Sequence, residues 1–290
     1  MAATILKELA DYARVRVREA EKCMPLAELR RRAEALAAGT ATAPASGTIS
    51  ATTSGTAAGP ALGAPEAFPF EAALRNSRGL GLICECKKAS PSKGLISPDF
   101  PYLDIARSYE EAGADCISVL TEPKWFLGAD RYLKEIAESV RIPCLRKDFT
   151  VDPYMIYEAK CLGASAVLLI VSILDPEELK QDLAICDALG LSALVEAHDK
   201  EEIRTAVRAG ARLIGVNNRN LKDFTVDFNN ALRLREEIPP GVLYVAESGL
   251  RTPEDAEVIR RCGADAALVG EALMRANDRG ALVRALKGEA

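Results

Sequence analysis

The feature that most constrains the fold is a regular alternation of apolar runs and amphipathic segments from residue 81 onward. Eight apolar runs predict β-strands over residues 81–86, 115–120, 143–146, 165–170, 192–196, 212–216, 242–246 and 265–269. Helical patterns cover 102–112, 129–139, 153–162, 176–188, 199–209, 228–236 and 252–262, and a last helix begins near residue 271. Strands that are apolar throughout are typical of parallel sheets covered on both faces. The pattern therefore predicts an α/β protein of the (β/α)8 TIM-barrel class; the alternative is a doubly wound open sheet, which would not need eight evenly spaced units.

The segment before this alternation has two parts. Residues 4–22 and 25–37 are patterned as amphipathic helices, and Ile5, Leu9, Tyr12 and Val15 lie along one stripe of the first. Residues 38–65 are nearly all Ala, Thr, Ser, Gly and Pro, as in flexible linkers. We therefore expect an N-terminal helical extension (1–37), a low-complexity linker (38–67) and a barrel catalytic domain (68–290).

Composition narrows the class of protein. A net charge of −5 gives no electrostatic reason to bind nucleic acid or a membrane surface. Eight cysteines without paired spacing and a single histidine, His198, predict no metal site and favour a reducing, cytoplasmic location. Charges in the first turns argue against a signal peptide, and the longest apolar run is far too short to span a membrane. We expect a small-molecule partner.

Polar side chains follow five of the predicted strands at the point where each strand ends. Because side chains alternate along a strand, one face carries the following residues: Glu85, Lys87, Lys147, Phe149, Glu196, Asn217, Arg219 and Glu247. The carboxyl ends of barrel strands form the active site in this fold. A surface ion pair would explain one such strand end but not five, so we predict an acid–base site. The same alternation turns Arg146 and Asp148 outward, as a structural ion pair.

Weaker signals surround this set. Ser248-Gly249 and Gly270-Glu271 follow the seventh and eighth strands, where barrels usually bind phosphate. Trp125-Phe126 suits either ordinary packing or the binding of a planar ring. We expect His198 to cap or support its loop, and Lys88 and Lys93 to lie near the rim.

Several motifs together resemble the indole-3-glycerol phosphate synthase family over about residues 68–275. They are Glu85-Cys-Lys-Lys-Ala-Ser-Pro-Ser-Lys-Gly94, Ser118-Val-Leu-Thr-Glu122 with Phe126, Leu145-Arg-Lys-Asp-Phe149, Leu194-Val-Glu196, Gly215-Val-Asn-Asn-Arg-Asn-Leu221 and Ala246-Glu-Ser-Gly249. The resemblance implies conversion of 1-(2-carboxyphenylamino)-1-deoxyribulose 5-phosphate to indole-3-glycerol phosphate, CO₂ and water, in tryptophan biosynthesis and without a cofactor. Association with other enzymes of that pathway is compatible with it.

The resemblance also implies roles for residues of this chain. Lys147 would be the general acid of ring closure, Glu196 and Lys87 would handle later proton transfers, and Glu85 would position Lys87 or share in them. Asn217 and Arg219 would orient the substrate beside Glu247. The phosphate set would be Ser90, Ser248, Gly249, Gly270 and Glu271, and the walls of the ring pocket would be Pro91, Phe126, Phe149 and Leu221. The chain departs from the family in its longer, low-complexity segment 38–65.

Two alternatives remain open at this point. A phosphoribosylanthranilate isomerase type of barrel would share the phosphate loops but is expected to use a Cys/Asp acid–base pair. A non-catalytic barrel that serves in an assembly would have no need for buried charges at five strand ends.

Overall fold

The strands close into a barrel, as the alternation predicts. The structure, a computed structural model, describes residues 2–39, 68–219 and 225–288. The barrel strands are β1 (Gly81–Cys86), β2 (Cys116–Leu120), β3 (Cys144–Lys147), β4 (Ala166–Ile170), β5 (Ser192–Ala197), β6 (Leu213–Asn217), β7 (Leu243–Glu247) and β8 (Ala266–Val269). Each strand pairs in parallel with the next, and β8 pairs with β1. The (β/α)8 prediction is confirmed, and the open sheet is excluded.

Helices surround the barrel and precede it. They are α1 (Ala2–Cys23), α2 (Leu26–Ala37), α3 (Pro69–Arg75), α4 (Tyr102–Glu111), α5 (Asp130–Ser139), α6 (Pro153–Cys161), α7 (Pro176–Leu189), α8 (Lys200–Ala209), α9 (Asn229–Leu234), α10 (Pro253–Arg261), α11 (Glu271–Arg275) and α12 (Arg279–Lys287). The expected last helix is thus two helices, because Ala276 is extended and the Asp278 side chain caps a new start. Helix α3 is too short to give a periodic signal.

The barrel interior is apolar at the bottom and polar at the top. Ile83, Leu145, Leu194 and Val245 fill its lower layers together with Phe70, which α3 inserts from below. A second, larger apolar cluster lies between the outer faces of the strands and the surrounding helices. Apolar side chains thus fill the bottom of the barrel, and the polar residues of the strand ends line a cavity at the top.

The N-terminal helices pack against the barrel. Arg16 of α1 forms two hydrogen bonds with Asp148, at 2.6 and 3.0 Å, and the Tyr154 hydroxyl of α6 donates to the Met24 carbonyl at 3.2 Å. The expected stripe is wrong at Val15, which is 42% exposed, because the buried face of α1 follows Leu9, Ala13 and Val17 instead. The apolar face therefore turns by about one position.

The predicted linker falls mainly outside the described residues, so the division of the chain into extension, linker and barrel stays a prediction. All eight cysteines are unpaired, and burial raises the pKa of the Cys86 and Cys116 thiols. Within the described ranges, no helix combines the length and apolar character that crossing a membrane requires.

Candidate active site

A cavity of about 480 Å³ opens at the carboxyl ends of the strands. Its lining includes the following predicted site residues: Glu85, Lys87, Ser90, Pro91, Phe126, Lys147, Phe149, Glu196, Asn217, Arg219, Glu247, Ser248, Gly249, Gly270 and Glu271. The remaining predicted residue, Leu221, lies outside the described residues. The fold thus brings the described members of the predicted set to one cavity, and their roles remain predictions.

Lys147 is at the centre of the charged layer. Its Nζ lies 2.7 Å from Oε2 of Glu247 and 3.2 Å from Oε2 of Glu196. The three residues end β3, β5 and β7, and Glu85 of β1 completes the set. Alternate strands supply one layer of side chains in such a barrel. The layer therefore holds one central cation among three carboxylates.

The two carboxylates nearest Lys147 differ in their affinity for a proton. Burial opposes the charged form of each, but Lys147 and His198 together hold the pKa of Glu196 well below its usual range. Glu247 also pairs with Lys147, but it lies near the negative charge of Glu196. Burial and this repulsion raise the pKa of Glu247 above its ordinary value. Burial would lower the pKa of Lys147, but the surrounding carboxylates outweigh this and raise it. At neutral pH, Glu196 is the anion and Glu247 is the carboxyl better able to hold a proton.

Two glycines make room for the carboxylates. A Cβ at Gly215 would overlap Oε1 of Glu247 and lie 3.1 Å from its Cδ. A Cβ at Gly270 would overlap Oε1 of Glu85 and lie 2.9 Å from Nζ of Lys87. Glu85 and Lys87 form an ion pair beside it. Glycine at these two positions is a requirement of space within the site.

Cationic side chains lie on the side of the cavity with the predicted phosphate residues. Lys93, Arg251 and Arg275 line it there, and Lys93 lies 3.6 Å from Glu271. Ser248 has a left-handed backbone, with φ of +66°, and both Ser248 and Gly249 line the cavity. The sequence interpretation missed Arg251 and Arg275. The available signal was their position, since Arg251 follows the seventh strand and Arg275 ends the short helix after the eighth.

The opposite side of the cavity is apolar. The rings of Phe126 and Phe149, which follow β2 and β3, have centroids 6.0 Å apart there. Ile5 and Leu9 of α1 also line the cavity. Helix α1 is therefore part of the candidate site, a point that the sequence left open.

A buried carboxylate shapes the loop that carries Phe126. Glu122 accepts hydrogen bonds from the backbone N–H groups of Lys124, Trp125 and Phe126 at 2.9, 2.7 and 2.9 Å. Trp125 packs edge-on against Tyr12 of α1, with centroids 5.5 Å apart. Of the two aromatic residues, Phe126 faces the cavity and Trp125 packs under α1.

The expected pairing of Arg146 with Asp148 is wrong. Arg146 is buried and lies 2.7 Å from both Asp130 and Glu158, on the helix side of β3. Asp148 pairs instead with Arg16, which lowers the pKa of that buried carboxyl despite its desolvation. The outward direction was correct for Arg146, whereas Asp148 also lines the cavity, and helix docking decided the partners of both.

A family sequence model matches residues 56–286 of the chain: that of indole-3-glycerol phosphate synthase. The chain belongs to this family. Curated family members include the indole-3-glycerol phosphate synthase of Ruminiclostridium cellulolyticum, 57% identical over 223 residues that cover 77% of this chain and 85% of the relative. That of Lacticaseibacillus paracasei is 55% identical over 73% of this chain and 82% of its own length.

Solved structures of other proteins share the fold alone. A 3-hexulose-6-phosphate synthase superposes with a TM-score of 0.61 at 16% identity, covering 72% of this chain and 99% of that one. A mandelate oxidase variant superposes with a TM-score of 0.58 at 20% identity, covering 72% and 71%. The cavity described above lies at the carboxyl ends of the barrel strands of this member of the indole-3-glycerol phosphate synthase family.

Proposed function

We propose that this chain is an indole-3-glycerol-phosphate synthase, a carboxy-lyase of tryptophan biosynthesis. It converts 1-(2-carboxyphenylamino)-1-deoxyribulose 5-phosphate to indole-3-glycerol phosphate, CO₂ and water. The observation that carries the assignment of the site is the buried Lys147 between Glu196 and Glu247, with an apolar wall on one side and cations on the other. This arrangement suits a substrate with an aromatic ring at one end and a phosphate at the other.

Ring closure needs an acid at the ketone oxygen. As the ring carbon that bears the carboxylate bonds to the carbonyl carbon, negative charge develops on that oxygen. The ammonium group of Lys147 lies in the layer at the cavity floor and is held charged by its carboxylate neighbours. We assign Lys147 to protonate this oxygen. A positioned acid lowers the activation barrier of ring closure because it neutralises the negative charge as it forms.

Carbon dioxide leaves next, and its bonding electrons restore the aromatic ring. Cationic groups near the carboxylate hold it in place until it departs; Lys87 and Arg219 line the cavity and are assigned this part. Loss of water then requires an acid at the new hydroxyl and a base at the adjacent C–H. We assign these transfers to Lys87 and Glu196, with Glu85 holding Lys87 through their ion pair.

Binding residues complete the proposal. The phosphate set is Ser90, Ser248, Gly249, Gly270 and Glu271, supported by the cations Lys93, Arg251 and Arg275 on that side. Asn217 orients the substrate and accepts from the Arg219 backbone N–H at 2.9 Å. Phe126, Phe149 and Pro91 enclose the aromatic ring, and Leu221 remains a predicted member of that wall.

The test is turnover of the carboxyphenylamino-deoxyribulose phosphate, followed by the fluorescence of the indole product. Lys147→Ala is expected to reduce kcat by at least about 100-fold, the scale of general acid catalysis. Arg18→Met, on an exposed position of α1, is the control and should retain full activity. No turnover by folded wild-type protein would refute the enzymatic assignment, and full turnover by Lys147→Ala would refute the role of Lys147.

The rival assignments give different results. A phosphoribosylanthranilate isomerase is expected to need a Cys/Asp pair, and no cysteine lines the cavity in the part of the chain that the structure describes. Turnover of phosphoribosylanthranilate would nevertheless revive that alternative, and absence of both activities would favour a scaffold. The cytoplasmic location and association with other tryptophan-pathway enzymes remain predictions, to be checked by fractionation and co-purification.

A further inference from the structure

His198 lies directly behind the active-site layer, between two carboxylates. It follows β5, and its Nδ1 lies 3.0 Å from Oε2 of Glu202, in the first turn of α8. The same oxygen accepts the backbone N–H of His198 at 2.8 Å. On the other side, Nε2 is buried and lies 3.4 Å from Oε1 of Glu196, the distance of an ion pair without the alignment of a hydrogen bond.

This geometry favours a charged ring. A neutral imidazole has one N–H, and its other nitrogen would direct a lone pair at a carboxylate. A carboxylate within ion-pair distance of each nitrogen therefore favours the ring that carries both protons. Burial opposes the charge, but Glu196 and Glu202 outweigh it and raise the pKa of His198 to about 10.

Other charges near the ring largely cancel. The groups that line the space beside it are Lys7, Asp11, Arg14, Asp199, Arg219, Asp227 and Arg233. Asp11 pairs with both Lys7 and Arg14, and Asp227 pairs with Arg233. The two carboxylates in direct contact therefore decide the state of His198.

Glu196 and Glu247 therefore differ in the number of cationic side chains that contact them. Lys147 lies between the two, but Glu196 also has His198 on its far oxygen, whereas the far oxygen of Glu247 is buried without a hydrogen-bond partner among the described residues. We propose that His198 is a positioning residue that keeps Glu196 fixed and anionic while Lys147 gives its proton to the substrate. The inference rests on the proposed function of Lys147 and adds a residue that acts through Glu196.

The consequence for catalysis is that Glu196 and Glu247 have different protonation behaviour. When Lys147 loses its proton, the layer loses its central cation, and a buried carboxylate without a counter-ion would bind a proton. His198 prevents this at Glu196, which remains available as a base for the later step. Glu247, without such support, keeps the higher proton affinity of the two carboxyls.

The first experiment does not depend on activity. Because His198 is the only histidine of the chain, ¹⁵N labelling of histidine gives NMR signals from this ring alone. We expect a doubly protonated ring at pH 8, with deprotonation moved toward the ordinary range in Glu202→Gln and in Glu196→Gln. Titration of the wild-type ring near pH 6.5 would overturn the proposal, whether or not the protein turns over substrate.

The second experiment uses the pH profile of kcat. His198→Gln retains a polar side chain but removes the cation, so the pKa of Glu196 rises and the acid limb should move up by about one pH unit. At a pH on the acid limb of the wild-type profile, kcat should fall by up to about 10-fold with little change in KM. Glu202→Gln should shift the limb less, in the same direction, and Glu201→Gln, its exposed neighbour in α8, should not shift it.

A structural role for His198 gives a different result. It would lower Tm, or lower kcat equally at all pH values, without moving the acid limb, and this outcome would overturn the proposal. If the wild-type protein lacks turnover but its histidine stays charged at pH 8, the proposed function fails while the charged pairing stands.

Discussion

Gly215→Ala tests whether the bond between Glu247 and Lys147 is needed for catalysis. The added Cβ would overlap Oε1 of Glu247 and lie 3.2 Å from the Leu194 side chain, so the carboxyl must move. The backbone of Gly215 is within a regular strand, and alanine can adopt it without strain. The substitution therefore acts through the position of one carboxylate.

The magnitude follows from the bond that would be lost. Glu247 is 2.7 Å from Nζ of Lys147, and a hydrogen bond between charged groups contributes about 1.5–3 kcal/mol. At about 1.4 kcal/mol for each factor of ten, kcat should fall roughly 10- to 150-fold. Crowding should also lower the free energy of unfolding by about 1–3 kcal/mol.

Two further variants separate the local effect from general damage. Gly280→Ala, near the start of α12, makes the same chemical change where the neighbouring atom is the flexible Arg284 side chain at 3.3 Å. It should leave kcat unchanged. Glu247→Asp shortens the side chain and removes the overlap, so Gly215→Ala should cost less in that background than alone. Wild-type kcat in Gly215→Ala, measured by indole fluorescence with unfolding in denaturant alongside, would refute the reasoning.

Two more predictions concern helix packing. Arg16→Met removes the cation that pairs with buried Asp148, so we expect the free energy of unfolding to fall by about 3 kcal/mol and KM to rise because α1 packs less firmly. Arg18→Met is the control. An unchanged denaturation midpoint in Arg16→Met would contradict this prediction. Burial and the nearby carboxylates raise the pKa of Asp182 to about 7, so its charge destabilises the fold increasingly from pH 4 to pH 7. Asp182→Asn should therefore raise Tm at pH 8 but not at pH 4. The control Glu177→Gln, at an exposed position of the same helix, should change Tm at neither pH. An equal rise in Tm for Asp182→Asn at both pH values would exclude titration of Asp182 as the cause.

Strand alternation explains why so much of the site was predictable. Glu85, Lys147, Glu196 and Glu247 were assigned to one face because side chains alternate with a period of two, which is a local property. Parallel strands in a closed barrel end at the same side, so four local statements combine into one cavity. Assigning these residues to one site required no long-range information beyond the number of strands.

The contacts of His198 beside the site were predictable only in part. His198 and Glu202 are four residues apart across a helix start, a spacing that signals contact. The sequence did not show that Nε2 would lie against Glu196, because Glu196 is in β5, His198 follows that strand, and only their rotamers bring the two side chains together.

The sequence by itself therefore determined the barrel, the direction of its strand-end side chains and the family. Tertiary structure alone decided that α1 forms a wall of the cavity, that Arg16 rather than Arg146 pairs with Asp148, and that Lys147 is shared by two carboxylates. These pairings join residues up to 132 positions apart. Local periodicity carries no information about such contacts, because barrel closure and helix docking choose the partners.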